Sequence, residues 1–333
     1  MNYRDIGIDL GTANVLIHVK GKGIVLDEPS VVALDRNTGK VIEVGEAARR
    51  MIGRTPGNIV AIRPLQDGVI ADFDSTEAML KHFINKINVK GFMSRPRMLI
   101  CCPTNVTKVE QRAIKEVAEN AGGSKVFLEE EPKVAAIGAG MDIYKPSGNM
   151  VIDIGGGTTD IAVLSMGDIV TSESINMAGD KFDNEILKYI KKKYGLLIGD
   201  RTAEEMKTTI ATVHESSRSE EMNIRGRDLV SGLPRNISVH SVELQEALRE
   251  SVSLIVQAVK SVLERTPPEL SGDIIDRGIT LTGGGALIHG LEELLIEELK
   301  VPVFLVEEPK NCVALGTGFI LENLNEISKN QVV

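Results

Sequence analysis

The sequence predicts a two-lobed α/β protein with mixed sheets, in which each lobe repeats one structural unit and carries an inserted subdomain. The first observation is an internal repeat, because residues 6–17 and 151–164 both contain an apolar run, a glycine turn and a second apolar run. Aligning Asp9 with Asp153 brings the two glycine turns into register. The second observation is that β-type runs and helical segments alternate along the rest of the chain, as in α/β proteins.

The second glycine turn has the composition of a phosphate-binding loop. Gly155, Gly156 and Gly157 are consecutive, so backbone N–H groups can converge on one point without interference from Cβ atoms, and Thr158 and Thr159 add hydroxyl donors. In a dinucleotide-binding fold such a turn opens a helix, but the run that follows this one is typical of a β-strand. We therefore predict a hairpin and exclude the dinucleotide motif.

Two such hairpins facing one another would bind a polyphosphate and its divalent cation. Asp9 and Asp153 each end a predicted buried strand, and Mg²⁺ prefers oxygen ligands, so both are predicted to hold Mg²⁺ directly or through water. The alternative is a pair of ordinary tight hairpins with outward aspartates. The predicted phosphate-binding residues are Gly11, Thr12, Ala13, Asn14, Gly155, Gly156, Gly157, Thr158 and Thr159.

The composition is that of a globular protein without a nucleic-acid footprint. The 333 residues suffice for two domains with cores, and 42% of them are hydrophobic and 26% charged. The net charge of −9 argues against DNA or RNA as a partner. Cys101, Cys102 and Cys312 lack metal-binding spacing and are typical of a reducing compartment. Only four residues precede the first predicted strand, so we expect no signal peptide and a cytoplasmic location.

The first lobe is predicted to span residues 1–145, with a small insertion at about 33–68. A helix predicted from about residue 74 is followed by Phe92 and Met93, which lie among lysines and arginines. In a loop, these two apolar side chains would enter a lipid headgroup region while the cations attract anionic lipid. The alternative is that both side chains pack against the body of the protein.

Three consecutive acids, Glu129, Glu130 and Glu131, follow a predicted strand at 126–128. Pro132 favours the first turn of a helix, and open α/β sheets place functional groups where a strand ends and a helix begins. By composition alone, three acids in a row are typical of a solvated surface.

The second lobe is predicted to span residues 146–311, with an insertion at about 180–243, and a helix at about 312–333 returns to the first lobe. In the insertion, Thr202 is predicted to cap a helix whose first turns carry charges. Near 279–287 a glycine turn joins a predicted strand to a predicted helix. Its glycines could let the backbone approach a flat nucleotide closely, and the alternative is an ordinary tight turn between the two elements. The candidate residues of these two segments are Glu204, Glu205, Met206, Lys207, Gly284, Gly285, Ala286 and Leu287.

The two hairpins resemble the phosphate loops of the actin, sugar-kinase and heat-shock-chaperone ATPase superfamily. More narrowly, nearly the whole chain resembles the MreB family of bacterial actin homologues and, within it, the Mbl branch. The most specific segments are 199–205, 226–228 with 232–235, and 281–286. The resemblance implies an actin-like (ribonuclease H-like) two-lobed ATPase fold, each lobe a βββαβαβα-type unit, that binds ATP and Mg²⁺. It also implies that Glu131 polarises the attacking water with Thr158 as its partner, and that residues 204–207 contact the ribose and adenine.

The resemblance further implies that the chain hydrolyses ATP and polymerises into filaments at the inner face of the cell membrane. Such filaments help determine rod shape by organising cell-wall synthesis with membrane-bound elongation proteins. Phe92 and Met93 would make the membrane contact, since four residues are too few for the N-terminal amphipathic helix of some relatives. The alternatives are a sugar or acid kinase of the same superfamily, a chaperone-type ATPase and a non-hydrolysing nucleotide-binding adaptor.

Overall fold

The computed structural model describes residues 5–87, 95–215 and 218–330, which form two lobes, each built on a five-stranded mixed sheet. The elements of the first half are β1 (Ile6–Leu10), β2 (Asn14–Val19), β3 (Gly23–Pro29), β4 (Val32–Asp35), β5 (Val41–Val44), α1 (Glu46–Arg49), β6 (Ile59–Ile62), β7 (Leu65–Gln66), β8 (Val69–Ile70), α2 (Phe73–Lys86), β9 (Arg97–Cys102), α3 (Lys108–Asn120), β10 (Lys125–Glu130) and α4 (Glu131–Gly138). Those of the second half are β11 (Asn149–Ile154), β12 (Thr159–Ser165), β13 (Asp168–Ile175), α5 (Gly179–Tyr194), β14 (Leu196–Leu197), α6 (Asp200–Thr209), β15 (Glu221–Asp228), β16 (Pro234–His240), α7 (Ser241–Arg265), α8 (Pro268–Arg277), β17 (Ile279–Thr282), a 3₁₀ turn (Gly284–Leu287), α9 (Leu291–Leu299), β18 (Val303–Leu305), a second 3₁₀ turn (Pro309–Asn311) and α10 (Cys312–Asn330).

The two large sheets have the same topology, which confirms the predicted repeat. The strand order is β10-β9-β1-β2-β3 in the first sheet and β18-β17-β11-β12-β13 in the second. In each sheet the strand before the glycine turn pairs antiparallel with the strand after the turn and parallel with its other neighbour. Since β1 and β11 are the central strands, Asp9 and Asp153 both lie at the carboxyl end of a sheet centre.

Each half of the chain carries a further three-stranded sheet. The order β5-β4-β6 covers residues 32–62, and the order β14-β15-β16 covers residues 196–240. Both lie close to the predicted insertions, whose boundaries stay predictions. The predicted Thr202 cap is wrong, because α6 begins at Asp200 with Gly199 as its N-cap residue. An acidic residue in the first turn is favourable at the positive end of the helix dipole.

The last helix of each repeat also packs against the sheet of the other repeat. α4 contacts β11 and β12, whereas α10 contacts β1 and β2, and their apolar side chains form a core between the lobes. The two helices cross so closely that a Cβ atom built on Gly138 would lie 1.8 Å from the carbonyl oxygen of Cys312. A Cβ atom on Gly316 would lie 2.0 Å from the carbonyl oxygen of Val134. The crossing therefore requires glycine on both helices.

Candidate functional site

A cleft between the lobes brings the two glycine turns together. Its larger compartment, of about 410 Å³, is lined by both turns, by Asp9 and Asp153 beneath them, and by Glu131. A smaller compartment of about 180 Å³ shares part of this lining and extends toward α1, α5 and α6. The shared residues are Ala13, Asn14, Gly155, Gly156, Glu204, Thr208 and Gly284. A groove of about 750 Å³ between α7 and α9 is larger, but its lining includes none of the predicted site residues.

The two turns are in direct contact, and this contact depends on glycine. A Cβ atom on Gly156 would lie 2.6 Å from the Cβ atom of Ala13, and one on Gly157 would lie 2.5 Å from Oγ1 of Thr12. Such distances are far below van der Waals contact, so any side chain there would push the turns apart. The Thr12 hydroxyl accepts a hydrogen bond of 3.0 Å from the backbone N–H of Gly68. The turns thus form a narrow cradle lined by backbone.

The floor of the cleft is a group of carboxyl groups that repel one another. Burial, together with the charge of Asp153, raises the pKa of Asp9 to about 8. Burial and the nearby Asp160 raise the pKa of Asp153 to about 7, although its carboxylate accepts a 2.7 Å hydrogen bond from the Thr282 hydroxyl. The pKa of Glu131 lies well above its ordinary value because of burial and of these three aspartates. A cation or a protic ligand placed here would relieve this repulsion.

The structure separates the three consecutive acids. Glu131 is the first residue of α4 and lines the larger compartment. Glu129 lies 3.6 Å from the ammonium of Lys133, and Glu130 is exposed at the N-cap position without a side-chain cap bond. Of these three acids only Glu131 lines the cleft, and its catalytic role stays a prediction. Thr158, its predicted partner, is buried and lines the same compartment.

Of the four residues on α6 that are predicted to contact ribose and adenine, two line the cleft and two do not. Glu204 lines both compartments, and Lys207 lines the smaller one. The ammonium of Lys207 donates to the carboxylate of Asp183 at 2.8 Å and to the carbonyl of Gly179 at 3.0 Å. Glu205 is exposed and Met206 is fully buried in the core of the second lobe, so neither lines the cleft. Their predicted contact with a nucleotide stays a prediction.

Two more predicted contacts are absent from the lining of the cleft. Thr159 is fully buried on β12, and its hydroxyl donates to the carbonyl of Met177 at 2.5 Å. Ala286 is buried within the 3₁₀ turn, whereas its neighbours Gly284, Gly285 and Leu287 line the cleft. The glycine turn after β17 leads into this 3₁₀ turn rather than directly into a helix, since α9 begins only at Leu291.

Sequence reasoning missed several residues of the cleft. Asp160 is fully buried beside Glu131 and accepts a 3.1 Å hydrogen bond from the backbone of Thr104. Asp27 and Lys310 line the larger compartment and form an ion pair of 2.9 Å between the lobes. A signal for Lys310 exists, because the sequence Glu-Glu-Pro-Lys occurs both at 130–133, from the last residue of β10, and at 307–310, shortly after β18.

The predicted membrane residues, Phe92 and Met93, lie outside the described residues, so this contact stays a prediction. Before this segment α2 ends at Lys86, and after it β9 begins at Arg97. In the part of the chain that the structure describes, no helix combines the length and the apolarity needed to cross a bilayer.

The carboxyl groups of the floor predict how stability depends on pH. A carboxyl whose pKa is higher in the folded chain stabilises the fold at low pH, and this contribution is lost as the pH rises through the folded pKa. With folded values of about 7 and 8 against an ordinary value of 3.8, the melting temperature without metal or nucleotide is expected to fall as the pH rises from about 5 to about 8 and to level off above that. Asp9→Asn should reduce this fall in thermal unfolding followed by circular dichroism.

Asp35→Asn is the control for this measurement, because hydrogen bonds from Thr38 hold the pKa of Asp35 below its usual range. Asp35 is thus ionised throughout this pH interval, and its replacement should leave the fall unchanged. Equal falls in the wild type and in Asp9→Asn would contradict the assignment.

Comparison with known proteins identifies a protein family that matches nearly the whole chain. The family model described as MreB/Mbl protein matches residues 3–329. The chain is 74% identical to the cell shape-determining protein Mbl of Bacillus subtilis over 332 residues, covering 100% of both chains. It is 51% identical to the cell shape-determining protein MreB of Escherichia coli over 330 residues, covering 98% of this chain and 95% of that one.

Solved structures show the same fold. The crystal structure of MreB5 of Spiroplasma citri bound to AMPPNP has a TM-score of 0.94 and 42% identity, covering 100% of both chains. A MamK double helical filament structure has a TM-score of 0.81 at 20% identity, covering 96% of this chain and 99% of that one, and it supports the actin-like fold alone. From the family match and the full-length relatives, the chain belongs to the MreB/Mbl protein family.

Proposed function

We propose that this chain binds and hydrolyses ATP with Mg²⁺ and polymerises into membrane-associated filaments that help determine rod cell shape. The observation that carries the proposal is the contact of two glycine turns above a floor of buried carboxyl groups, with Glu131 at the side. Backbone N–H groups in such turns bind phosphate oxygens, and acidic groups beside them hold the accompanying cation.

The residues of the cleft fit Mg²⁺ bound to a triphosphate. They supply some of the oxygen ligands of the cation and leave the others to the phosphates. Asp9 and Asp153 are oxygen donors whose pKa values are raised by burial and by neighbouring carboxylates, so a divalent cation would offset an existing repulsion. Within the described ranges, no group of three or more histidine, cysteine or acidic side chains is placed to hold a metal alone. Mg²⁺ held by Asp9 and Asp153 would neutralise phosphate charge, and phosphate oxygens would complete its ligands.

The residues of the chain have separate tasks in hydrolysis. Gly11 to Asn14 and Gly155 to Thr158 hold the phosphates from opposite sides, so that the terminal phosphate lies near Glu131. With a cation offsetting the repulsion that raises its pKa, the ionised carboxylate of Glu131 would accept a hydrogen bond from water and orient it for in-line attack on that phosphate. Positioning and electrostatics supply most of the rate in this reaction class.

Relatives support the biological role. Spiroplasma citri MreB5 has been solved with AMPPNP and with ADP, and the proteins from Bacillus subtilis and Escherichia coli are named for determining cell shape. We extend both properties to this chain. The filaments would lie at the cytoplasmic face of the inner membrane through Phe92 and Met93, and would act there with cell-wall elongation proteins.

Sedimentation with nucleotide and lipid tests the proposal. With ATP, Mg²⁺ and vesicles containing anionic lipid, the wild type should pellet with the vesicles, and phosphate release should accompany assembly. The double variant Phe92→Ser/Met93→Ser should still pellet as filaments at high protein concentration but should lose its association with vesicles. A protein that stays monomeric with ATP and Mg²⁺ in the presence of lipid would contradict the filament role. Phosphate release that requires an added sugar or acid would favour the kinase.

A further inference from the structure

Two ion pairs join the lobes across the smaller compartment of the cleft. The guanidinium of Arg49, at the end of α1, donates to both carboxylate oxygens of Glu204 on α6, each at 3.0 Å. The guanidinium of Arg63, which follows β6, donates to the carboxylate of Asp180 on α5 at 2.7 Å. Both arginines belong to the first lobe and both acids to the second, and all four residues line this compartment. We propose that these two pairs, the cleft clasp, control how fast nucleotide leaves the site.

The clasp is connected to the groups that would hold the nucleotide. Glu204, which pairs with Arg49, lines both compartments and is also a predicted nucleotide contact. The backbone N–H of Asp180 donates to the carbonyl of Gly156 at 2.8 Å, and that of Gly179 donates to the carbonyl of Gly155 at 3.3 Å. Arg63 is therefore connected, through Asp180 and the start of α5, to the second glycine turn. This inference rests on the proposed nucleotide binding and adds its regulation.

The ion pairs of the clasp are weak enough to break when the cleft opens. The four side chains are 27 to 41% exposed, so solvent screens each pair. The two-pronged contact of Arg49 with Glu204 adds directionality, because both hydrogen bonds must break before the lobes separate there. Partly exposed pairs of this kind also weaken as salt is added. The clasp would thus slow release without preventing it.

Release of radiolabelled ADP, chased with excess unlabelled ADP and followed by filter binding, tests the clasp at protein concentrations below assembly. Arg49→Ala and Arg63→Ala should each speed release by about fivefold, the factor expected from the loss of one partly exposed ion pair. The double variant should be faster than either. Added sodium chloride should accelerate release from the wild type and should have little effect on the double variant.

Arg50→Ala is the matched control, because Arg50 follows Arg49 but pairs with Glu46 of its own helix at 3.1 Å. Its release rate should equal that of the wild type. Exchanging the charges, as Arg63→Asp with Asp180→Arg, should restore slow release relative to Arg63→Ala, which a general loss of stability would not do.

Equal release from Arg49→Ala, Arg63→Ala and Arg50→Ala would overturn the clasp while leaving nucleotide binding intact. Failure of the wild type to retain any ADP in the presence of Mg²⁺ would instead overturn the proposed function, and the clasp with it. Thermal unfolding of each variant shows whether it is folded at the assay temperature.

Discussion

Glu131→Gln is expected to slow ATP hydrolysis by about 10²- to 10⁴-fold, the usual contribution of a positioned acid–base group. Glutamine keeps the size of the side chain but cannot carry the negative charge that orients and polarises water. Because Glu131 lies beside the glycine turns rather than within them, nucleotide affinity should stay within about threefold of the wild type. Phosphate release under saturating ATP measures the first quantity, and calorimetric titration measures the second.

Glu130→Gln is the control for this substitution. It changes the adjacent acid, which is exposed and lines neither compartment of the cleft, so hydrolysis should continue at the wild-type rate. If Glu131→Gln hydrolysed ATP as fast as Glu130→Gln, the chain would be a nucleotide-binding adaptor whose cleft acts through occupancy alone.

Asp153→Asn is expected to weaken Mg²⁺-dependent binding of ADP by about 10- to 100-fold, which corresponds to losing one charge-assisted contact. The side-chain oxygen of asparagine can still accept the 2.7 Å hydrogen bond from Thr282, so the floor of the cleft should keep its shape. What disappears is one negative charge beneath the glycine turns. Titration of ADP with Mg²⁺ and with a chelator separates the two contributions.

Asp168→Asn provides the comparison, because Asp168 lies on the neighbouring hairpin of the same sheet, where its carboxylate accepts only local contacts from Ile169 and is exposed. It should bind ADP as the wild type does. The expected signature of Asp153→Asn is a loss of the difference between Mg²⁺ and chelator. A variant that retained the full difference would show that the cation is held elsewhere.

The phosphate cradle was predictable because its signals are local. Consecutive glycines and a strand-ending aspartate are visible within a dozen residues, and the repeat of this pattern at Asp9 and Asp153 implied two facing copies. The structure places both copies around one cleft with the same strand order in each sheet.

The period of each element explains why some of the predicted site residues do not line the cleft. On a helix, successive residues are about 100° apart, so Glu204 and Lys207 share the face toward the cleft while Met206 points into the core. Thr158 ends the glycine turn and lines the cleft, whereas Thr159 is the first residue of β12, where its hydroxyl is directed to the carbonyl of Met177. In both cases the prediction named consecutive residues, whereas only some of them face the cleft.

Contacts between distant parts of the chain carried no comparable signal. Asp27 and Lys310 are separated by 283 positions, and nothing near Asp27 marks it as a partner. The same holds for the clasp, since Arg49 lies on α1 and Glu204 on α6, and each is an ordinary helix charge in the sequence. Only the packing of the lobes brings such residues together.

The glycine crossing of α4 and α10 has a mechanical consequence. We expect it to serve as a pivot for any tilt of the lobes, because at Gly138 and Gly316 backbone packs directly against backbone. The compartment that Arg49 and Arg63 line includes no residue of α4 or α10, whereas Glu131 begins α4 itself. If the lobes tilt about this crossing, we expect the displacement to be larger at the two arginines than at Glu131, so the entrance of the cleft would open while Glu131 keeps its position.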